Sequence, residues 1–203
     1  MGFMSRSASM MRYRIKGEIE GPFWDTVDEG VRKGAFRATI APGDEVGLGW
    51  TSMEDFTDSE FPGASYVRTR YVALSLRIDT ARVPPRILEM HLKTETRRLM
   101  EETGKQRLSS GQRRELKEQL KESLKRQAFP SIQVHDVIWD TANGVVYFAS
   151  LGAKARERFE DHFKKSFGLT LVPLLAYMRA EELLDGHSDK QILEKLKSTS
   201  LVP

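Results

Sequence analysis

The pattern of apolar and polar positions predicts β-strands on both sides of a central pair of helices. Residues 66–79 alternate between the two kinds of side chain, as a strand with one buried face does, and residues 12–19 do the same. The Asn143-Gly144 pair separates two apolar runs, which is typical of a hairpin turn. Strands are predicted at residues 12–19, 46–50, 66–79, 133–140, 145–151 and 169–172. Residues 55–63 are polar and rich in turn formers, so they predict a loop.

Apolar residues that recur every three or four positions predict the helices. Pro84-Pro85 ends the long strand and suits the first turn of a helix. Gly104 suits the end of that helix, and Ser109 with Gln112 predicts a capping box for the next one. Helices are predicted at residues 22–36, 86–103, 112–127, 154–167, 174–184 and 189–198.

These elements predict an α+β fold with antiparallel sheet elements, a protruding basic helical pair at residues 82–130 and C-terminal helices. We expect one domain over residues 10–203, preceded by a loose leader at residues 1–9. The predicted core contains Ile15, Val27, Leu74, Leu76, Ile138, Val146, Phe148 and Phe159. No stretch is apolar enough for a transmembrane helix, and the N-terminus lacks the apolar region of a signal peptide. Together with the absence of cysteine, this predicts a cytoplasmic protein with no membrane partner.

The positive charge of the chain is concentrated in one segment. Residues 82–126 hold 13 Lys and Arg against 7 Asp and Glu, whereas the whole chain has a formal net charge of only +3. Charge concentrated in this way marks interaction surfaces more often than dispersed charge does.

The second helix of the pair carries the most specific signal. Leu116, Leu120 and Leu124 recur every four residues and form an apolar seam. Cations recur at the same spacing from Arg113 to Lys125, so they form a stripe beside that seam. A rigid line of cations suits the DNA backbone, although a solvated helix with ion pairs to its own glutamates explains the pattern about equally well. The candidate DNA contacts are Arg97, Arg98, Arg113, Lys117, Lys121, Lys125 and Arg126.

The residues that could support catalysis do not form a known constellation. The four histidines show no HExxH or HxH spacing, and the chain has no GxxxxGK[ST], GxGxxG or GxSxG motif. His135 and Asp136 are neighbours on a predicted strand, so their side chains should point to opposite faces. Asp140 stands at the mouth of the predicted turn, where we expect it to cap the hairpin. We therefore expect no enzyme activity, no metal and no cofactor.

At three stretches the chain resembles the RdgC-type recombination-associated proteins of bacteria. The first is Val46–Trp50, and the second is the charged helical pair as it runs into Leu124–Phe129. The third is Ile138–Gly144, followed by Val145–Ser150 and later by Gly168-Leu169 and Val172–Leu174. The order and spacing match from about Met11 to Leu174, which is most of the chain.

The resemblance implies a nucleoid-associated protein that binds duplex DNA without sequence preference and restrains the RecA recombinase. It also implies a ring-like homodimer with a basic central hole. Typical members are longer than this chain. If their additional residues build part of the ring, the resemblance does not imply that this chain closes a ring around DNA. Phe129 lies between the basic helix and Pro130, where an aromatic side chain suits either a dimer interface or the core.

Two alternatives to DNA binding remain at this point. The first is a metal-dependent exonuclease, an early label of some members, with Asp136, Asp140 and His135 at the metal; release of nucleotides that Asp140→Ala abolishes would favour it. The second is a protein-interaction module that uses the helical pair, for which affinity should survive high salt.

Overall fold

The computed structural model describes residues 2–3, 5, 7–37, 45–104, 106–127 and 129–184. In chain order the elements are β1 (Met11–Lys16), α1 (Phe23–Lys33), β2 (Val46–Ser52), a short 3-10 turn (Pro62–Ala64), β3 (Val67–Arg68), β4 (Tyr71–Thr80), α2 (Pro85–Thr103), α3 (Ser110–Gln127), β5 (Ser131–Asp140), β6 (Val145–Phe148), α4 (Ala153–Phe167), β7 (Thr170–Pro173) and α5 (Ala176–Leu183). The α+β fold class is confirmed. The helix predicted at residues 189–198 lies outside the described residues.

The strands form one seven-stranded sheet. Its order is β2-β4-β5-β6-β1-β7, and β3 pairs with β4. The β5–β6 hairpin turns at residues 141–144, as predicted, and Gly144 has a φ of +61°, which suits a residue without a side chain. In register, Asp140 pairs with Val145 and Trp139 with Val146.

The two faces of the sheet differ. The first face carries Tyr13, Trp139 and Phe148, which pack against aromatic residues of α1 and α4. The second face carries the alternate residues of the same strands, such as Arg12 of β1 and Tyr147 of β6, which are register partners. Directly paired residues share a face, so the register assigns each side chain to one of the two.

The described residues divide into two compact units, where the sequence predicted a single domain over residues 10–203. The first unit falls within Met1–Phe36, Gly49–Leu76 and Val134–Pro203, and the second within Arg37–Leu48 and Arg77–Gln133.

The core of the first unit is aromatic. Phe148 and Phe159 stack with their ring centres 4.2 Å apart, and Trp50 packs edge-on against Phe159. Trp50 is fully buried and its Nε1 donates a hydrogen bond to Ser166 Oγ, so its polar atom is satisfied. Six of the eight predicted core residues are buried; they are Val27, Leu74, Leu76, Val146, Phe148 and Phe159.

Ile15 and Ile138 are only half-buried, which corrects that prediction. Ile138 pairs with Tyr147 on the second face, because Val137 and Trp139 take the core positions of β5. Ile15 lies on the same face as Tyr13, but it is next to the last residue of β1 and only half-buried.

The single long strand predicted at residues 66–79 is also wrong. The chain makes a hairpin between β3 and β4, with Arg68 opposite Tyr71. Thr69 adopts a left-handed conformation with a φ of +57°, so the chain reverses there without a glycine. The predicted loop before it contains a core residue as well, because Phe61 is fully buried.

Candidate nucleic-acid interface

The helices α2 and α3 of the second unit begin and end at residues whose local chemistry favours those boundaries. Pro85 occupies the first turn of α2, and Gly104 follows its last residue with a φ of +65°. Before α3 the predicted capping box is present. The Gln112 amide donates to Ser109 Oγ at 3.2 Å, and the Ser109 amide donates to Gln112 Oε1 at 3.1 Å.

The two helices pack against each other loosely. Leu99 of α2 and Leu116 of α3 line a cavity of about 240 Å³, together with Thr103, Leu108, Gln112, Glu115 and Gln119. The apolar seam predicted on α3 is only half-buried at each of its three leucines. α3 therefore keeps most of its circumference in water.

The cationic stripe of α3 is the row formed by Arg113, Lys117, Lys121 and Lys125. Arg113 and Lys117 are exposed and form no ion pair with any residue that the structure describes. Lys121 is partly engaged, because its Nζ lies 3.5 Å from Glu45 Oε1 and its side chain is 42% exposed. Lys125 is half-buried. The N-terminal half of the stripe is thus its most available part.

Arg126 lies apart from this stripe. Each residue of an α-helix is rotated by about 100° from the one before it, so Arg126 points well away from Lys125. It lines a groove with Glu118, Gln119, Glu122 and Ser123. Two carboxylates on the same groove reduce the positive potential around Arg126.

The supporting cations on α2 have different surroundings. Arg97 is exposed without an ion pair to a described residue, whereas Arg98 lies 3.3 Å from Glu95 and 3.4 Å from Glu102. The pKa of the Glu89 carboxyl lies below its usual range, mainly because Lys93 hydrogen-bonds to it, with a smaller contribution from the charge of Arg113.

Phe129 is 97% exposed, the most exposed large apolar side chain in the described part of the chain. The prediction left open whether this aromatic residue fills the core or stands at the surface. It stands at the surface, two residues after the end of α3. Its ring is therefore available for a contact with another molecule.

The acidic residues weighed for a metal site have other partners. Asp136 accepts hydrogen bonds from Ser75 Oγ and the Phe3 amide, both at 2.8 Å. His135 points to the opposite face, where its ring packs against Phe148. Asp140 accepts from Asn143 Nδ2 at 2.8 Å, as expected of a hairpin cap, and this bond lowers the pKa of its carboxyl.

The described residues therefore bring none of these side chains to a common centre. Among them, no three or more His, Asp or Glu side chains stand close enough to hold one metal ion. No helix in the described part of the chain is both long and apolar enough to cross a membrane.

Fold and surface define a class: an α+β protein with a cation-bearing helical pair. Over residues 8–184 the chain matches the family model described as "Putative exonuclease, RdgC". The match covers most of the 203 residues, so the chain belongs to the RdgC family of recombination-associated proteins. The word exonuclease in that description is part of the family's name, and it does not establish an activity for this chain. None of the curated proteins matches the chain significantly.

Proposed function

We propose that this protein binds duplex DNA without sequence preference, through the cationic stripe of α3. The observation that carries the proposal is the pair Arg113 and Lys117, which are exposed, one helical turn apart and without ion pairs to described residues. Membership of the RdgC family supports a role in DNA recombination.

The physical basis is release of counterions. Each cation that meets a phosphate displaces a condensed ion from the duplex, and this gain does not depend on the base sequence. Consecutive stripe residues are about 6 Å apart along the helix axis, so a rigid α3 can present several cations to a backbone at once. Arg97 adds a cation from α2. These side chains act as phosphate contacts, and none is proposed to read a base.

We propose a binding role rather than a catalytic one, without a cofactor. The support is geometric, because His135 and Asp136 point to opposite sheet faces and Asp140 is held by the hairpin turn. We also propose that the chain forms a homodimer in which Phe129 is buried, since so exposed a phenyl ring gains most from a partner surface. Association with the nucleoid and restraint of RecA complete the proposal, and they rest on the family resemblance.

The test is a double charge reversal in the most available part of the stripe. Arg113→Glu with Lys117→Glu should weaken binding to a random-sequence duplex at least tenfold at moderate salt, measured by fluorescence anisotropy. Exposed substitutions cost little stability, so thermal unfolding should barely change.

The matched control is Lys154→Glu with Lys164→Glu, which changes the charge equally on exposed positions of α4. It should leave duplex affinity within about twofold, because net charge acts weakly beyond one Debye length. Equal losses in both variants would mean that net charge, rather than the stripe, attracts DNA. An unchanged affinity in the α3 variant would overturn the proposal.

A further inference from the structure

The first unit carries a surface whose charge is opposite in sign to that of the α3 stripe. Residues 18–29 and 54–60 hold nine Asp and Glu and no Lys or Arg, although the whole chain has a formal net charge of +3. Both segments belong to the first unit. Asp28 and Asp58 are half-buried, and the other seven acids are exposed. We call these two segments the acidic surface.

A chain of contacts joins the two segments of the acidic surface. The Tyr66 hydroxyl donates a hydrogen bond to Asp28 Oδ1 of α1 at 2.6 Å. The Tyr66 ring packs edge-on against Phe61, with 5.8 Å between the ring centres. The Phe61 amide in turn donates to Asp58 Oδ1 at 3.3 Å. The loop that contains Asp58 is therefore held against α1.

Few cations neutralise this surface. Arg32 lies 2.7 Å from Asp28, and Arg68 lies 2.7 Å from Glu54. The other seven acids form no ion pair with any residue that the structure describes. Within the described ranges, no three or more acids stand close enough to hold one metal ion. A ligand with several separated cations therefore suits this surface better than a metal ion does.

Two large aromatic side chains are exposed on the acidic surface. Trp24 is 42% exposed and Phe56 is 45% exposed. Trp24 precedes Asp28 by one turn of α1, and its ring meets that of Phe23 edge-on at 5.1 Å. The face of an indole attracts Lys and Arg side chains more strongly than other aromatic rings do. Tryptophan is also among the residues that contribute most to protein interfaces.

The geometry of α1 indicates how the cations of a ligand should be spaced. Asp25 and Glu29 are both exposed and four residues apart, which is about 6 Å along the helix axis. In an extended peptide, side chains on the same side recur every second residue, after about 7 Å. A peptide with Lys or Arg at alternate positions can therefore meet successive carboxylates.

We infer that the acidic surface binds a basic, extended segment of another protein, with one cation on the Trp24 ring and others on Asp25 and Glu29. DNA is repelled from this surface, because its phosphates carry the same sign of charge. The stripe of a second copy is a less suitable ligand, since a contact between two different surfaces need not close into a dimer. The inference uses the first unit alone and does not depend on the α3 proposal.

The probe is a labelled peptide of 12 residues that alternates arginine and glycine and is blocked at both ends. Its binding to the full chain is followed by fluorescence anisotropy at low salt. Trp24→Ala should weaken binding about fivefold because a cation–π contact is lost, whereas Trp24→Phe keeps an aromatic ring and should weaken it less. A peptide that alternates glutamate and glycine should not bind.

A second variant removes charge and leaves the tryptophan in place. Asp25→Asn with Glu29→Gln should weaken peptide binding about fivefold, because two exposed ion pairs are lost. The matched control is Glu157→Gln with Asp161→Asn, which removes the same charge from two exposed residues four apart on α4. The control should leave peptide affinity within about twofold, because the charge on α4 is screened from α1.

Peptide affinity that is equal in the unchanged protein, Trp24→Ala and the α1 charge variant would overturn the inference. Equal losses in the α1 and α4 charge variants would do the same, because net charge alone would then attract the peptide. A loss of self-association in sedimentation velocity that Trp24→Ala shares with Arg113→Glu/Lys117→Glu would also overturn it, since the stripe of a second copy would then occupy the acidic surface.

Discussion

The helices α3 and α4 are both rich in charged residues, yet α4 packs into the core whereas α3 stands mostly in water. α4 buries Phe159, Phe163 and Phe167, whose side chains are 0%, 1% and 6% exposed. α3 is longer, at 18 residues, and none of its described side chains is fully buried. α4 is held by tertiary packing, whereas α3 relies on its capping box and its partial contact with α2. Stability and DNA binding should therefore respond to different substitutions.

The largest effect should come from the core of α4. Phe159→Ala removes a ring that stacks on Phe148, and truncation of a buried phenylalanine costs about 3–5 kcal/mol. Leu120→Ala in α3 should cost about 1 kcal/mol, because that side chain is only half-buried. Thermal and urea unfolding monitored by circular dichroism compare the two. Equal losses of unfolding free energy in the two variants would show that packing contributes as much to α3 as to α4.

The next effect is a dependence of stability on pH through α4. Burial lowers the pKa of His162 to about 4. The Nε2 atom of its ring lies 2.9 Å from the carbonyl oxygen of Gly34, and a carbonyl oxygen can only accept a hydrogen bond. The unfolded chain binds the proton first, at a pKa near 6.5, so the free energy of unfolding should fall as pH drops from about 6.5 to about 4. The full loss should be about 3 kcal/mol.

Urea titrations at several pH values measure this loss. His162→Gln should flatten the dependence, and the difference between the two proteins removes the contribution of His135, whose pKa is also lowered by burial. A variant with the same pH dependence as the unchanged protein would assign the loss to other groups.

The smallest effect should fall on the start of α3. Ser109→Ala removes the hydroxyl that accepts from the Gln112 amide, and loss of such a cap costs about 1 kcal/mol. Ser110→Ala is the control, because this neighbouring serine makes no side-chain hydrogen bond within the described residues. Amide hydrogen exchange in the first turns of α3 should rise in the first variant alone. Equal exchange in both would show that the capping box does not stabilise α3.

Features with local causes could be predicted from the sequence. The β5–β6 turn, the capping box and the glycine after α2 each depend on residues within a few positions of one another. The reversal at Thr69 could not be predicted in this way, because its left-handed conformation has no local sequence signal and the alternation of side chains continues across it.

The residues of the candidate site also divide into those that local geometry could predict and those that depend on contacts distant in sequence. Helical geometry alone could have separated Arg126 from the stripe, since adjacent residues of a helix differ by about 100°. The contact between Lys121 and Glu45 could not have been found, because it joins residues far apart in sequence.

If α3 binds the DNA backbone, the affinity of the protein for duplex DNA should depend steeply on salt. Two unrelated duplexes are titrated across a series of salt concentrations with the unchanged protein and with Arg113→Glu/Lys117→Glu. Both sequences should bind with equal affinity, log affinity should fall linearly with log salt, and the slope should be flatter by about two in the variant. A slope that is the same in both proteins, or an affinity that survives high salt, would contradict it.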